Sequence, residues 1–176
     1  MSLDHPHPDD WPGEYRFCPE CAAALRPERR GGRLRMACLA CGWVHFRNPA
    51  VGAAVLVRDE AGRALLVRRA EGSTKAGLWC IPAGYVDYGE DIRSAAAREV
   101  SEEAGLVVEV GEVLQVASNF HDPAKLSVGV WFSGRVTGGE LRPGDDADDA
   151  GWFQMDELPE LAFETDRRLL GVLGDR

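Results

Sequence analysis

No stretch of the 176 residues approaches the roughly 18 uninterrupted apolar positions that a membrane-spanning helix requires, so no membrane partner is expected. Internal repeats and low-complexity blocks are also missing. Positive charge is in deficit: 20 Lys and Arg face 29 Asp and Glu, and a net charge of −9 argues against broad nonspecific binding to nucleic acid. The opening MSLDHPHPDDWPGEY lacks the basic-then-apolar pattern of a secretory signal, so residues 1–16 read as a polar leader and the cytoplasm is the expected compartment. What is present, 45% hydrophobic and 28% charged residues, is the composition of a folded globular chain with room for one core and a small module.

Cysteine is scarce but patterned. Four of the five cysteines form two Cys-x-x-Cys pairs, Cys18/Cys21 and Cys38/Cys41, separated by 16 residues. Each pair brings two thiolates to one tight turn, and two such knuckles complete a tetrahedral site, the spacing of a zinc ribbon. Residues 17–46 are therefore expected to be a ribbon around structural Zn²⁺, because four protein ligands leave no open coordination position. A module this short needs the metal to fold. Disulfides are disfavoured in a chain without a secretory signal. His45 is a weak fifth ligand candidate and reads rather as packed or solvent-facing, and Cys80, in the apolar run Leu78-Trp79-Cys80-Ile81, reads as a small buried hydrophobe. The run Arg26 to Gly32 reads as a basic turn and Arg33 to Ala37 as a strand; the basic stretch Arg26 to Arg35 gives nucleic-acid or protein binding by the ribbon some support, against the acidity of the whole.

Residues 47–176 alternate strand and helix patterns. Strands are predicted at 51–57, 64–68, 78–81, 107–118, 126–136 and 151–153, the first two as a hairpin turning at Gly62. Helices are predicted at 91–104, 165–173 and, in one short turn, 155–158. Mixed strands between helices give the expected fold class, an α/β/α sandwich with a mixed sheet.

The most informative stretch is Gly84 to Leu106, GYVDYGEDIRSAAAREVSEEAGL. Its helix has Asp91 at the N-cap and Gly105 at the C-cap. Glu99, Glu102 and Glu103 stand at i, i+3 and i+4, three mutually repelling carboxylates on one helical turn. A run of this kind is usually a solvated face; otherwise a hard divalent cation compensates it. Gly84, Glu90, Arg98-Glu99-Val100, Glu102-Glu103 and Gly105-Leu106, at these spacings, resemble the Nudix box, and the match extends to every specified position. The resemblance implies the Nudix sandwich behind a zinc ribbon and hydrolysis of a nucleoside diphosphate linked to another group, such as ADP-ribose, FAD or an NAD(H)-like dinucleotide. It implies Mg²⁺ or Mn²⁺ on Glu99, Glu102, Glu103 and the Gly84 carbonyl, with Glu90 and Arg98 orienting those ligands.

In Asp145-Asp146-Ala147-Asp148-Asp149, ahead of Trp152-Phe153, Asp146 is a candidate further ligand or base, or part of a solvated loop. Arg69 and Lys75 are candidate phosphate contacts; Tyr85, Phe120, His121 and Phe163 are candidates for stacking on a base. The segment Gln115 to Pro123 lacks the Ser-Gln-Pro-Trp-Pro-Phe-Pro array of NADH pyrophosphatases. Asn48-Pro49, Pro82-Ala83-Gly84-Tyr85 and Leu161-Ala162-Phe163 resemble instead a zinc-ribbon Nudix group that includes FAD and ADP-ribose pyrophosphatases. A small-molecule nucleotide substrate and a homodimer are the expected partners. The alternative function is a Nudix-like nucleotide sensor without turnover.

Overall fold

In the computed structural model, which describes residues 15–119 and 125–171, the chain divides into two units, Met1–Asn48 and Pro49–Arg176. In the first, β1 (Leu25–Arg30) pairs antiparallel with β2 (Arg33–Cys38). Only Gly31 and Gly32 form the turn, at φ of 59° and 78°, the left-handed pair a two-residue hairpin demands. The basic run Arg26–Arg30 is therefore strand and not turn: Pro27 is tolerated because a two-stranded ribbon has a free edge for the missing N–H. Leu25, Cys18 and Cys38 pack with Ala23, Met36 and Trp43 into a small core.

The second unit contains β3 (Ala50–Val57), β4 (Ala64–Arg69), β5 (Trp79–Cys80), β6 (Ala83–Tyr85), α1 (Ile92–Ala104), β7 (Leu106–Asn119), β8 (Ser127–Gly139), β9 (Ala147–Phe153) and α2 (Glu164–Leu169). They build a mixed sheet in the order β6-β3-β8-β7, in which β3 and β8 run parallel, and an antiparallel sheet in the order β5-β4-β9. No helix among the described residues is long and apolar enough to cross a membrane.

Side chains alternate along a strand, and the two cores follow from that alternation. Ala53, Val55, Val57, Leu65 and Val67 pack with Ala95, Ala96, Val100 and Ala104 of α1. The intervening Ala54, Leu56, Ala64 and Leu66 pack with Trp131, Leu161 and Leu170 on the side of α2. Both faces of β3 and β4 are thus covered, which is why these strands read as unbroken apolar runs and why the result is an α/β/α sandwich.

Two local expectations change. The 3–4 hairpin reduces to a single bridge, Arg58 to Ala64, because β3 and β4 diverge into different sheets after the turn at Gly62. Residues 155–158 form a turn closed by the Glu157 N–H on the Gln154 carbonyl, too short to sustain a helix. The C-terminal helix runs over Glu164–Leu169, and positions 172–173 of the predicted span lie outside the described residues.

Candidate active site

Helix α1 carries two of the three candidate carboxylates on its buried face. Its N-cap is Asp91, whose carboxylate accepts from the N–H groups of Arg93 and Ser94, and it ends on Gly105 at φ 70°. The buried stripe runs Ala95, Glu99, Glu103 beside Ala96, Val100, Ala104, so two glutamates continue a row begun by alanine. The alanines let the helix approach the sheet closely; the glutamates at the end of the row are consequently pressed against β6.

Glu103, 2% exposed, accepts a hydrogen bond from the Ala83 N–H at 2.9 Å. Burial pushes its carboxyl up to about 9; the Ala83 N–H opposes the rise and the neighbouring Asp146 charge adds to it. Glu99, 7% exposed, is also raised, first by burial, against the Arg98 charge. Glu102 remains exposed. Arg98 holds the group together: its Nε and Nη2 grip both oxygens of Glu90 at 3.0 Å, Nη1 reaches Glu99 at 2.7 Å and Glu102 at 2.9 Å, and Nη2 also donates to the Tyr85 carbonyl at 3.1 Å. That guanidinium keeps Glu90 below the usual carboxylate range.

Gly84 has no room for a side chain. A Cβ there would stand 2.2 Å from the carboxylate carbon of Glu99. Replacing Gly84 by alanine is therefore expected to push the Glu99 carboxylate aside, lowering kcat about a hundredfold by misplacing a candidate ligand. Because a side-chain end can move, Tm should change little; a variant with undiminished kcat would show that the close approach is irrelevant.

A cavity of about 440 Å³ opens at this point. Gly84, Glu99, Glu103, Asp145 and Asp146 line it, together with Arg69, Tyr85 and Phe163. Arg69 donates to the Thr74 carbonyl at 2.6 Å, approaches Asp146 at 3.4 Å and lies over the Phe163 ring at 5.5 Å. Tyr85 lies under the Lys125 ammonium, 3.9 Å from the ring centre. Thus Arg69, Asp146, Phe163 and Tyr85, far apart in sequence, meet the box residues around one space. Lys75 is not among the lining residues; its ammonium donates to the Ala162 carbonyl at 2.6 Å. Phe120 and His121 lie outside the described residues. The acidic run splits where β9 begins: Asp148 and Asp149 pair with Arg68, at 2.7 and 3.6 Å, and only Asp145 and Asp146 reach the cavity.

Sequence reasoning missed Asp166. This carboxylate, 2% exposed, accepts from the Ile81 N–H at 3.1 Å and the Trp131 indole N–H at 3.0 Å, and it borders the cavity. Burial raises it to about 6, with both donors holding it down. A signal existed: the apolar Leu170 follows Asp166 by four residues, the spacing that puts the two on one side of a helix. Trp131, Asn119, Ser127 and Lys125 also line the cavity without having been singled out.

In the first unit the four cysteine sulfurs lie within 4.8 Å of one another, Cys18–Cys41 at 3.6 Å and Cys21–Cys38 at 3.5 Å. No disulfide joins them. A tetrahedral zinc with Zn–S of about 2.3 Å has sulfurs about 3.8 Å apart, so the spacing fits the ion. Each knuckle has the same frame: the Cys18 carbonyl accepts from Ala22 and its N–H donates to Ala23, as Cys38 does with Gly42 and Trp43. Ala22 and Gly42 take positive φ to make the turn. Backbone N–H groups of Cys41 and Ala40 contribute to holding the Cys38 thiol down to about 6, the form that ligates metal. Cys41, despite the Trp43 N–H, is pushed up to about 12 by burial and by the other sulfurs, a repulsion that a cation would relieve. Cys80 is buried, and burial raises its thiol. Among the described residues only the cysteines gather ligand atoms this tightly.

Helix, glycine-lined carboxylates and sandwich together define a Nudix fold, and the NUDIX domain profile matches residues 48–171. The chain belongs to the Nudix family, whose enzymes hydrolyse phosphoanhydride bonds in nucleotide-linked substrates. It is 35% identical to the ADP-ribose pyrophosphatase of Methanocaldococcus jannaschii over 123 residues, covering 69% of this chain and 72% of that protein. It is 32% identical to the NAD-capped RNA hydrolase NudC of Stutzerimonas stutzeri over 86% of this chain, which spans only 52% of that relative. A crystal structure of a NUDIX hydrolase from Nitrosomonas europaea superposes with a TM-score of 0.78 at 28% identity, over 89% of this chain and 88% of the other.

Proposed function

We propose that the chain is a divalent-cation-dependent pyrophosphohydrolase that splits ADP-ribose, or a dinucleotide such as FAD or NADH, into a nucleoside monophosphate and a phosphorylated remainder. The observation that carries this reading is the buried pair Glu99 and Glu103 at the wall of a cavity of about 440 Å³, a size suited to a small-molecule ligand. Two carboxylates whose protonation is raised by burial are a donor set that a hard cation would neutralise. Glu99, Glu102, Glu103 and the Gly84 carbonyl would hold Mg²⁺ or Mn²⁺, and the four cysteines a structural Zn²⁺. When bound, the catalytic cation supplies Lewis acidity and a more acidic water.

The chain's own residues do the rest. Arg98, fixed by Glu90, keeps Glu99 and Glu102 aimed. Asp146, which lines the cavity beside Glu103, takes the proton from the attacking water. Arg69 offers charge to a phosphate, and Phe163 and Tyr85 offer aromatic faces to a base or ribose. The similarity to the ADP-ribose pyrophosphatase of Methanocaldococcus jannaschii, with 72% of that protein covered, supports ADP-ribose as the first substrate to test.

The test is turnover of ADP-ribose, FAD and NADH with Mg²⁺ or Mn²⁺, the products separated by chromatography. AMP and ribose 5-phosphate from ADP-ribose are the expected result. Tight binding of all three without cleavage, under either metal, would replace the hydrolase reading with the nucleotide-sensor one.

A further inference from the structure

The β1–β2 register sorts the ribbon into two unlike faces. Leu25, Pro27 and Arg29 oppose Cys38, Met36 and Leu34, and this side supplies the small core around the cysteines. Arg26, Glu28 and Arg30 oppose Ala37, Arg35 and Arg33, so the other side presents four arginines against one glutamate. Arg30 and Arg33 face each other directly across the turn, a like-charge pair that destabilises an isolated hairpin. Phe46, 57% exposed, lies under the Arg35 guanidinium at 4.5 Å. From Tyr15 to Asn48 the sequence has seven arginines, two glutamates and no aspartate, in a chain whose net charge is −9. The positive charge is therefore segregated to the ribbon.

Guanidinium forks are suited to phosphate oxygens, and an exposed aromatic beside them offers an unpaired base a surface to stack on. An acidic protein would satisfy the charge but leave Phe46 unused. Unpaired strands in a cell are chiefly RNA. We propose that the face formed by Arg26, Arg30, Arg33, Arg35 and Phe46 docks single-stranded RNA, a binding activity separate from the hydrolase cavity of the second unit. The chain's overall acidity, which disfavours indiscriminate nucleic-acid binding, confines contact to this ribbon.

Anisotropy of a short, unstructured, labelled RNA, titrated with the full zinc-loaded chain at several salt concentrations, tests it. The wild type should bind more weakly as salt rises. Arg30→Glu/Arg33→Glu should weaken binding about tenfold or more and flatten the log–log salt slope by roughly 1.4, since each single-strand phosphate contact contributes about 0.7. Phe46→Ala should weaken unpaired RNA about tenfold while leaving duplex RNA unaffected. Zinc content and hydrolysis of ADP-ribose should match the wild type in both variants, which separates a lost surface from a lost fold. Absence of binding up to about 100 µM at low salt, a charge-reversed variant that binds as the wild type does, or equal competition by polyglutamate would each overturn the proposal.

Discussion

Glu103→Gln should reduce kcat about a thousandfold while making the metal-free protein more heat-stable. The two effects share one cause. A carboxyl buried to 2% exposure and raised to about 9 must take up a proton on folding that the unfolded chain, at its ordinary 4.5, has already released at neutral pH. A folded value above the unfolded one means that the cost is absent in acid, begins near pH 4.5 and grows until about pH 9. At pH 7 it is on the order of 3 kcal/mol. Glutamine keeps an oxygen for the Ala83 N–H and carries no charge, so the penalty disappears together with the cation ligand. Thermal melts at pH 5 and pH 7 check the sign: the variant should gain stability over the wild type mainly at pH 7. Added Mg²⁺ should raise the Tm of the wild type and not of the variant. A variant that retains turnover would remove Glu103 from the metal site.

Cys38→Ser should release zinc and unfold the ribbon. The sulfur it removes is the one that backbone N–H groups of Cys41 and Ala40 help to hold down to about 6, well below an ordinary thiol. It also sits in the small core with Leu25 and Cys18. Metal affinity in sites of this kind is folding free energy, about 10–16 kcal/mol for zinc-finger peptides, so the unit has little to stand on without it. Zinc content per chain should fall to near zero, and Trp43 fluorescence, reporting the stack of Trp43 on His45 at 5.8 Å, should shift toward that of an exposed indole. Retention of one zinc with an unchanged spectrum would show that the cysteines are not the ligands.

Much of this architecture was legible along the chain because its signals are local. A Cys-x-x-Cys knuckle is closed by hydrogen bonds between residues four and five apart, and the α1 caps are made by Asp91 and Gly105 in place. Apolar runs marked β3 and β4 as strands, and packing on both of their faces emerged only from the structure. Local signals misled where a neighbour in space outweighed a neighbour in sequence. Arg26–Arg30 reads as a turn until β2 pairs with it, and the β3–β4 hairpin fails because each strand finds longer partners in separate sheets. Asp166 was passed over because a single acidic residue in a short amphipathic helix looks like a solvated one; its partners, Ile81 and Trp131, are 85 and 35 residues away.

By itself the sequence determined which groups stand ready for the chemistry, since glutamates three and four apart on a helix, behind a glycine and beside an arginine, follow from spacing alone. Tertiary structure decided how that chemistry is set. It buried Glu99 and Glu103 and left Glu102 exposed, gave Arg98 four partners, turned Asp146 and not Asp149 toward the cavity, and joined Arg69 to Phe163. Burial and long-range pairing depend on which strands lie side by side, and that is a property of the whole packed sheet, which no spacing within one segment encodes.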